Sequence, residues 1–307
     1  MNAAIYTHPA CLAHDPGPGH PESSARLAAV LEALDDPAFA ALARVEAPPA
    51  TREQLARVHA PDLIEGVLDE PIASGWRRID SDTVMSAVSA EAALRAAGAV
   101  CAAVDAAIDG ARKRAFCAVR PPGQHATRDT AMGFCLFNSV AVGAAHAIVA
   151  HGLSRVAIVD FDVHHGNGTQ DIFWSDPRVL YASSHQWPLY PGTGARSETG
   201  AGNIVNAPLR PGSGSAEFRE ACETTVLPAV ERFAPELVLI SAGFDAHRLD
   251  PLANLNLVAD DYAWITQRLV AIAGRHAQER VVSSLEGGYS LTALRESVAA
   301  HVFALTA

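Results

Sequence analysis

The sequence predicts an α/β fold: a single three-layer domain with a mostly parallel sheet flanked by helices on both faces. Three observations predict it. Short apolar runs recur at 115–119, 156–159, 179–182, 237–241 and 281–285, as in strands buried on both faces of a parallel sheet. Longer stretches with helical spacing lie between most of them, the alternation of βαβ units. Four of the runs end in polar clusters, RPPGQHA, DFDVHHGNG, GFDAHRLDP and EGGY, as expected where parallel strands open their loops on one edge of the sheet.

Taken in order, Ile5-Tyr6 reads as a short first strand and 8–21, rich in His, Pro and Gly, as loop. Ser23 or Ser24 caps a helix whose Leu27, Val30, Leu31 and Leu34 keep helical spacing. Residues 51–69 read as short helical pieces around Leu55, Val58, Leu63 and Val67, punctuated by Pro61 and Pro71. Residues 79–83 are loop, 86–110 an Ala-rich helix, 115–119 a strand, and 138–151 a second Ala-rich helix beginning at Asn138 or Ser139. After the strand at 156–159 comes another at Val179–Ala182. The segment 186–214 is full of Gly and Pro, with 203–206 as a brief strand inside it; a long segment of this kind is usually functional. Helix 215–233, strand Leu237–Ser241, helix 260–276, strand Val281–Leu285 and helix 291–305 follow. Repeats, low-complexity segments and linkers are absent, so residues 1–307 are expected to be one domain.

Composition narrows the function. Net charge is −11 and the longest basic run is Arg112-Lys113-Arg114, which argues against a nucleic-acid binder. The five cysteines form no Cys-x-x-Cys, so no disulfide framework and a reducing cytoplasm are expected. The N-terminal residues lack the charged and apolar regions of a signal peptide, and no run of 18 apolar residues occurs, so no membrane span is expected.

The chemistry gathers at Val156–Gly168. Four apolar residues give way to Asp160, Asp162, His164, His165 and Asn167. With a side-chain period of two, Asp160, Asp162 and His164 lean to one side. A lone Asp-x-His would be a solvated loop; the three other polar loops change that reading. Asp162, His164 and Asp245 offer two carboxylates and an imidazole, the three-ligand set of an open, catalytic zinc site, with Fe²⁺ or Mn²⁺ also suited to so much oxygen. His247 and Asp250 lie nearby, His247 as a supporting or surface residue. His125, in a loop stiffened by Pro121 and Pro122, is placed to move a proton, with Asn167 or Asp160 orienting its other nitrogen. Tyr289, after Gly287 and Gly288, is placed to donate to an oxyanion. Lewis acid, proton carrier and oxyanion donor together describe hydrolysis of an unactivated carbonyl, most naturally an amide.

The motifs HPESSARL (20–27), DSDT (80–83), RPPGQHA (120–126), GFCLFNS (133–139), DFDVHHGNGTQ (160–170), YPGTG (190–194), AGFDAHRLDP (242–251) and LEGGY (285–289) cover almost the whole chain. Through them it resembles the histone deacetylase-like amidohydrolases of the arginase/deacetylase fold, nearer the class II and bacterial acetylpolyamine-type branch. The resemblance implies zinc ligands at Asp162, His164 and Asp245 and a transition-state tyrosine at Tyr289. It implies an acyl-lysine tunnel walled by Phe134, beside Gly133, and Tyr190. It further implies an Asn167 partner for the catalytic histidine, a rim carboxylate at Asp82, and a structural K⁺ drawing on Asp160, Asp162, His164 and Ser183, partly through backbone carbonyls. The expected substrate is an acylated lysine or a small acylated amine; a homo-oligomer is compatible.

One position departs from the pattern. The family carries two adjacent histidines after Pro-Pro-Gly; here the first is Gln124 and the second is His125. A Gln amide can donate a hydrogen bond but holds no proton or charge. The residue normally found there is paired with the carboxylate now at Asp160. A catalytically weak or inactive acyl-amine binder is therefore the alternative expectation. A two-metal ureohydrolase is disfavoured because His247 stands where a further carboxylate would be needed.

Overall fold

A computed structural model describes residues 3–307. Its strands are β1 (Ala3–Thr7), β2 (Ala43–Glu46), β3 (Arg77–Arg78), β4 (Val84–Met85), β5 (Arg114–Cys117), β6 (Val156–Asp160), β7 (Val179–Gln186), β8 (Ile204–Leu209), β9 (Leu237–Ala242) and β10 (Val281–Leu285). Eight of them form one sheet in the order β2-β1-β5-β10-β9-β6-β7-β8, and every neighbouring pair is parallel. β3 and β4 make a separate antiparallel pair. β6, β7, β9 and β10 are buried from end to end, which accounts for the apolar residues that open each of them. Helices including Ser24–Leu34, Ser89–Ile108, Ser139–His151, Ala259–His276 and Leu291–Thr306 pack around the sheet.

Register places the chemistry. Asp160 pairs with Ser183 on one side and Ser241 on the other, Leu285 pairs with Ala242, and Ser284 with Cys117. The four polar clusters therefore leave the sheet side by side from β5, β6, β9 and β10. Their order along the edge differs from their order in the chain.

The structure corrects some local expectations. Within 8–21, Pro9–Ala13 is a helical turn, capped by His8 Nδ1, which accepts from Ala10 N (3.1 Å). β2 is an edge strand whose residues alternate between half-buried and exposed, so no apolar run announces it. Residues 79–83 are the turn between β3 and β4, closed by Ile79 N donating to Thr83 O (2.8 Å). β8 runs Ile204–Leu209, longer than the brief strand expected. The helical stretch 215–233 widens into a π-type turn at Cys222–Val226, just before Pro228, which has no N–H to donate. All five cysteines are buried and free, and among the described residues no helix is long and apolar enough to cross a membrane.

A buried ionic cluster ties the N-terminal loop to the sheet edge. Glu22 has no exposed surface. It accepts from Arg26 Nη1 (3.0 Å), Arg120 Nη2 (2.7 Å) and Arg120 Nε, and His14 Nε2 lies 3.3 Å away. Burial opposes its charge, but the Arg120 guanidinium outweighs that and holds the carboxyl well below the usual range. Arg26 also donates to the Gly288 and Glu286 carbonyls, and Arg120 to those of Cys11 and His14. Both guanidiniums share the one carboxylate and spend their other donors on carbonyls, so each buried ion has partners, the condition under which such groups are tolerated.

His59 is held neutral: burial pushes it down to about 4, while its Nε2 accepts from Asn138 N (2.9 Å) and its Nδ1 lies 2.9 Å from Thr127 O. A folded value below the unfolded one makes the unfolded state bind more protons between the two, so stability is lost as pH falls from about 6.5 towards 4. The urea midpoint should drop between about pH 7 and about pH 5. His59→Gln, which can serve both bonds without titrating, should make that dependence shallower by one histidine's share, the rest coming from His125, His165, His185 and His301, which burial also pushes down; an equally steep drop in the variant counts against the assignment.

Candidate active site

Asp162, His164 and Asp245 converge although 83 residues separate the first and last positions in number. His164 Nδ1 lies 3.2 Å from Asp162 Oδ1 and 3.2 Å from Asp245 Oδ2. One ligand atom from each of the three falls within 4.8 Å of the others. The outer carboxylate oxygens are fixed by backbone donors: Gly287 N to Asp162 Oδ2 (2.9 Å), and Val163 N to Asp245 Oδ1 (2.9 Å).

The electrostatics of this group fit a cation. Burial and the neighbouring Asp162 push Asp245 up to about 7. Burial opposes a charged His164, yet its hydrogen bonds to the two carboxylates outweigh that and hold it up to about 10. The same bonds hold Asp162 down against burial, to about 2. Two carboxylates buried this close together repel each other, and His164 Nδ1 meets both of them. A divalent ion at the same point answers the same repulsion, with an imidazole and two carboxylates as ligands.

His125 Nδ1 meets Asn167 Oδ1 at 2.8 Å, so Asn167, and not Asp160, is its orienting partner. Burial and His164 push His125 down to about 4. Asp160 instead accepts from the Tyr181 hydroxyl (2.9 Å) and from Asp162 N (3.0 Å). Burial, with Asp162 and Glu286 close by, raises it well above the carboxylate range. Gln124 makes no hydrogen bond to Asp160; its Oε1 is buried without a partner. Its backbone N–H and that of Gly123 both donate to Glu286 Oε2 (3.1 and 2.6 Å). Ser183 pairs with Asp160 in the sheet and its hydroxyl meets His185 Nδ1 at 2.9 Å.

A cavity of about 240 Å³ leads to this group, lined by Phe134, Tyr190, Gly133, His125, Tyr289 and Asp82, with Leu189 and Leu252. Tyr190 stands edge-on to His125 (5.2 Å between centroids), and Phe134 edge-on to Tyr289 (5.9 Å). Phe134 sits at φ 68°, its N–H donating to Thr83 Oγ1 (3.1 Å). Asp82 is tied down through its carbonyl, 2.9 Å from His20 Nε2, and through Oδ1, which accepts from Thr83 Oγ1 (3.2 Å). Arg26 lies over the Tyr289 ring, 4.8 Å from its centroid, and Asp250 Oδ2 accepts from Tyr289 N (2.7 Å).

Two histidines are turned elsewhere. His247 is buried rather than at the surface, its Nδ1 accepting from Leu249 N (3.2 Å). His165 meets Thr193 Oγ1 (2.7 Å) and Gln170 Oε1 (3.1 Å). Neither joins Asp162, His164 and Asp245, so three side chains make up the group that could hold a metal ion. Sequence reasoning quoted the motifs holding Glu22, Arg26, Arg120 and Glu286 without giving those residues work. It missed Tyr181, Leu189 and Leu252, and no local spacing marks any of the three.

Three comparisons agree with this geometry. The profile described as "Histone deacetylase domain" matches residues 20–305. The chain is 40% identical over 316 residues to "Histone deacetylase 14, chloroplastic" of Arabidopsis thaliana, covering 96% of this chain and 74% of that one. It is 40% identical over 275 residues to "Histone deacetylase-like amidohydrolase" of Pseudomonas aeruginosa, covering 88% and 72%. The solved structure titled "Crystal Structure of HDA15 HD domain" superposes with a TM-score of 0.93 at 36% identity, covering 98% of this chain and 88% of the other.

The carboxylates leave no room for a side chain at Gly287: a Cβ there would overlap Asp245 Oδ2 and stand 2.6 Å from Asp162 Oδ2. Gly287→Ala should therefore remove the metal held between Asp162, His164 and Asp245 while the fold survives. Retention of metal at the parent level, measured by elemental analysis after dialysis, would show that the two carboxylates do not meet as described.

Proposed function

Because the chain belongs to the histone deacetylase family, we propose that it is a zinc-dependent amidohydrolase. Its reaction is removal of an acyl group, acetyl in the first instance, from an acylated lysine or polyamine, and residues 1–307 act as one catalytic domain. The observation that carries this reading is the meeting of Asp162, His164 and Asp245 within 4.8 Å, at a cavity that His125 and Tyr289 also line.

Asp162, His164 and Asp245 would hold the ion. Bound there, zinc supplies Lewis acidity, which polarises a carbonyl and makes a water a stronger acid; Fe²⁺ would serve similarly. His125 Nδ1 is committed to Asn167, so Nε2 takes the proton of the attacking water and returns it to the leaving amine. Burial suits this work, because it keeps the imidazole neutral and ready to accept. The Tyr289 hydroxyl donates to the oxygen that gains charge as the carbonyl carbon becomes tetrahedral. Phe134 and Tyr190 flank a slim alkyl chain and exclude water. Asp82, beside Gly133 and Phe134 at the mouth, suits a substrate N–H or a cationic amine. A structural K⁺ beside the centre, drawing on Asp160, Asp162, His164 and Ser183, is supported by Asp160, a buried carboxylate whose partners are a hydroxyl and a backbone N–H.

Gln124 supports a second reading, binding with little turnover. Its Oε1 is buried and unpaired, and an amide cannot share the proton or the charge that an imidazole would.

A screen of acyl-lysine peptides and acetylpolyamines, with zinc added and with EDTA, tests the main reading. Metal-dependent release of product is expected; none from any acylated amine would favour the binder. Tyr289→Phe should lower kcat by roughly 10²–10³ with metal content unchanged, and an undiminished kcat would remove the oxyanion role. Gln124→His should change turnover on at least one substrate of that screen; identical rates on all of them would show that the position is idle.

A further inference from the structure

A second group of metal-ligating side chains lies where helix Ser89–Ile108 packs on helix Ser139–His151. Asp105 Oδ1 stands 2.6 Å from His146 Nε2 and 2.6 Å from His151 Nε2, and one ligand atom from each of the three lies within 4.8 Å of the others. His146 is buried; His151 and Asp105 are half-buried. Residues five apart on a helix point about 140° away from each other, so these two histidines share no face by default. Their rings nonetheless stand 5.5 Å apart between centroids, because both side chains bend towards one oxygen. The helix starts beside Asn138, near the active-site loops. At 1.5 Å per residue His146 is about 12 Å and His151 about 20 Å along its axis from there, too far to serve the first centre.

We propose that Asp105, His146 and His151 form a second divalent-metal site, for zinc or another imidazole-preferring ion, joining the two helices. Two imidazoles and a carboxylate on rigid elements, with a fourth position left to solvent, are a donor set zinc accepts; the imidazoles favour zinc, copper or nickel over magnesium or calcium. In the ion-free protein each imidazole donates its Nε2–H to Asp105. On binding, both Nε2 lone pairs and the carboxylate oxygen become ligands, and each imidazole carries its proton on Nδ1, so neutral histidines neither gain nor lose a proton. The ligand atoms open from 2.6 Å to about 3.3 Å, the edge of a tetrahedron with bonds near 2.0 Å, which side-chain rotation supplies.

Arg57 opposes the ion. Its Nη1 lies 2.8 Å from His146 Nδ1. A guanidinium donates and never accepts, so this contact favours the tautomer that keeps a proton on Nε2. Metal binding requires Arg57 to turn away, towards Glu53, which it already meets at 3.1 Å.

Zinc per chain after dialysis against buffered micromolar free zinc tests the site independently of any deacetylase activity. The parent protein should hold two equivalents. Asp245→Asn should keep one, and His151→Gln or Asp105→Asn should each remove one while leaving the turnover of the parent unchanged. His151 closes its helix and is half-buried, so His151→Gln keeps the test open if Asp105→Asn melts early. Arg57→Gln, which can accept from Nδ1–H, should tighten the second equivalent by roughly tenfold. A single equivalent in the parent, a second equivalent that survives in both His151→Gln and Asp105→Asn, or unchanged affinity in Arg57→Gln would each overturn the assignment.

Discussion

Asp162 and Asp245 are buried carboxylates brought to within reach of one imidazole nitrogen, and much of the sheet edge is arranged around their repulsion. Backbone N–H groups of Val163 and Gly287 take the oxygens that His164 leaves free. Gly243 and Gly287 stand where any Cβ would collide with those carboxylates. In a site this dry an unpaired anion costs several kcal/mol, so the arrangement persists only with positive charge at its centre. Positive charge at this point is thereby a thermodynamic demand of the fold, whatever further work the three side chains do.

Around that centre the groups that flank His125 carry no full charge. Asn167 is an amide, and Gln124 is an amide with one oxygen left over. Asp160, the nearby carboxylate, accepts from the Tyr181 hydroxyl and from the backbone N–H of Asp162. The imidazole thus works beside dipoles, and what charge it feels comes chiefly from His164 and Asp162. Rigidity is supplied from farther out, by Glu286 holding the Gly123–Gln124 backbone and by Asp250 holding that of Tyr289.

Sequence reading reached the parts of this that are local. VAIVDFDVHHGNG shows a strand, its end and two candidate ligands in thirteen letters, and the strands β5, β6, β9 and β10 each carry apolar residues before a polar loop. Long helices are legible for the same reason. β2 was not, because its residues alternate only between half-buried and exposed and carry no buried apolar run. Glu22, Arg26 and Arg120 were visible as letters in motifs, but their partners are set by tertiary approach: Arg26 and the Gly288 carbonyl are 262 positions apart. Leu189 and Leu252 line the cavity through loop paths that no periodicity encodes.

The placement of β10 has a bearing on biosynthesis. It lies between β5 and β9, so the strands β2-β1-β5 and β9-β6-β7-β8 share no backbone pairing until residues 281–285 have been made. It also delivers Glu286, Gly287 and Tyr289 to loops translated far earlier. Contacts of such high sequence separation form slowly, since loop closure must precede their reward. Until β10 is in place β5 and β9 each lack a neighbour on one side, and the latest of the described strands in the chain is the one that closes both edges.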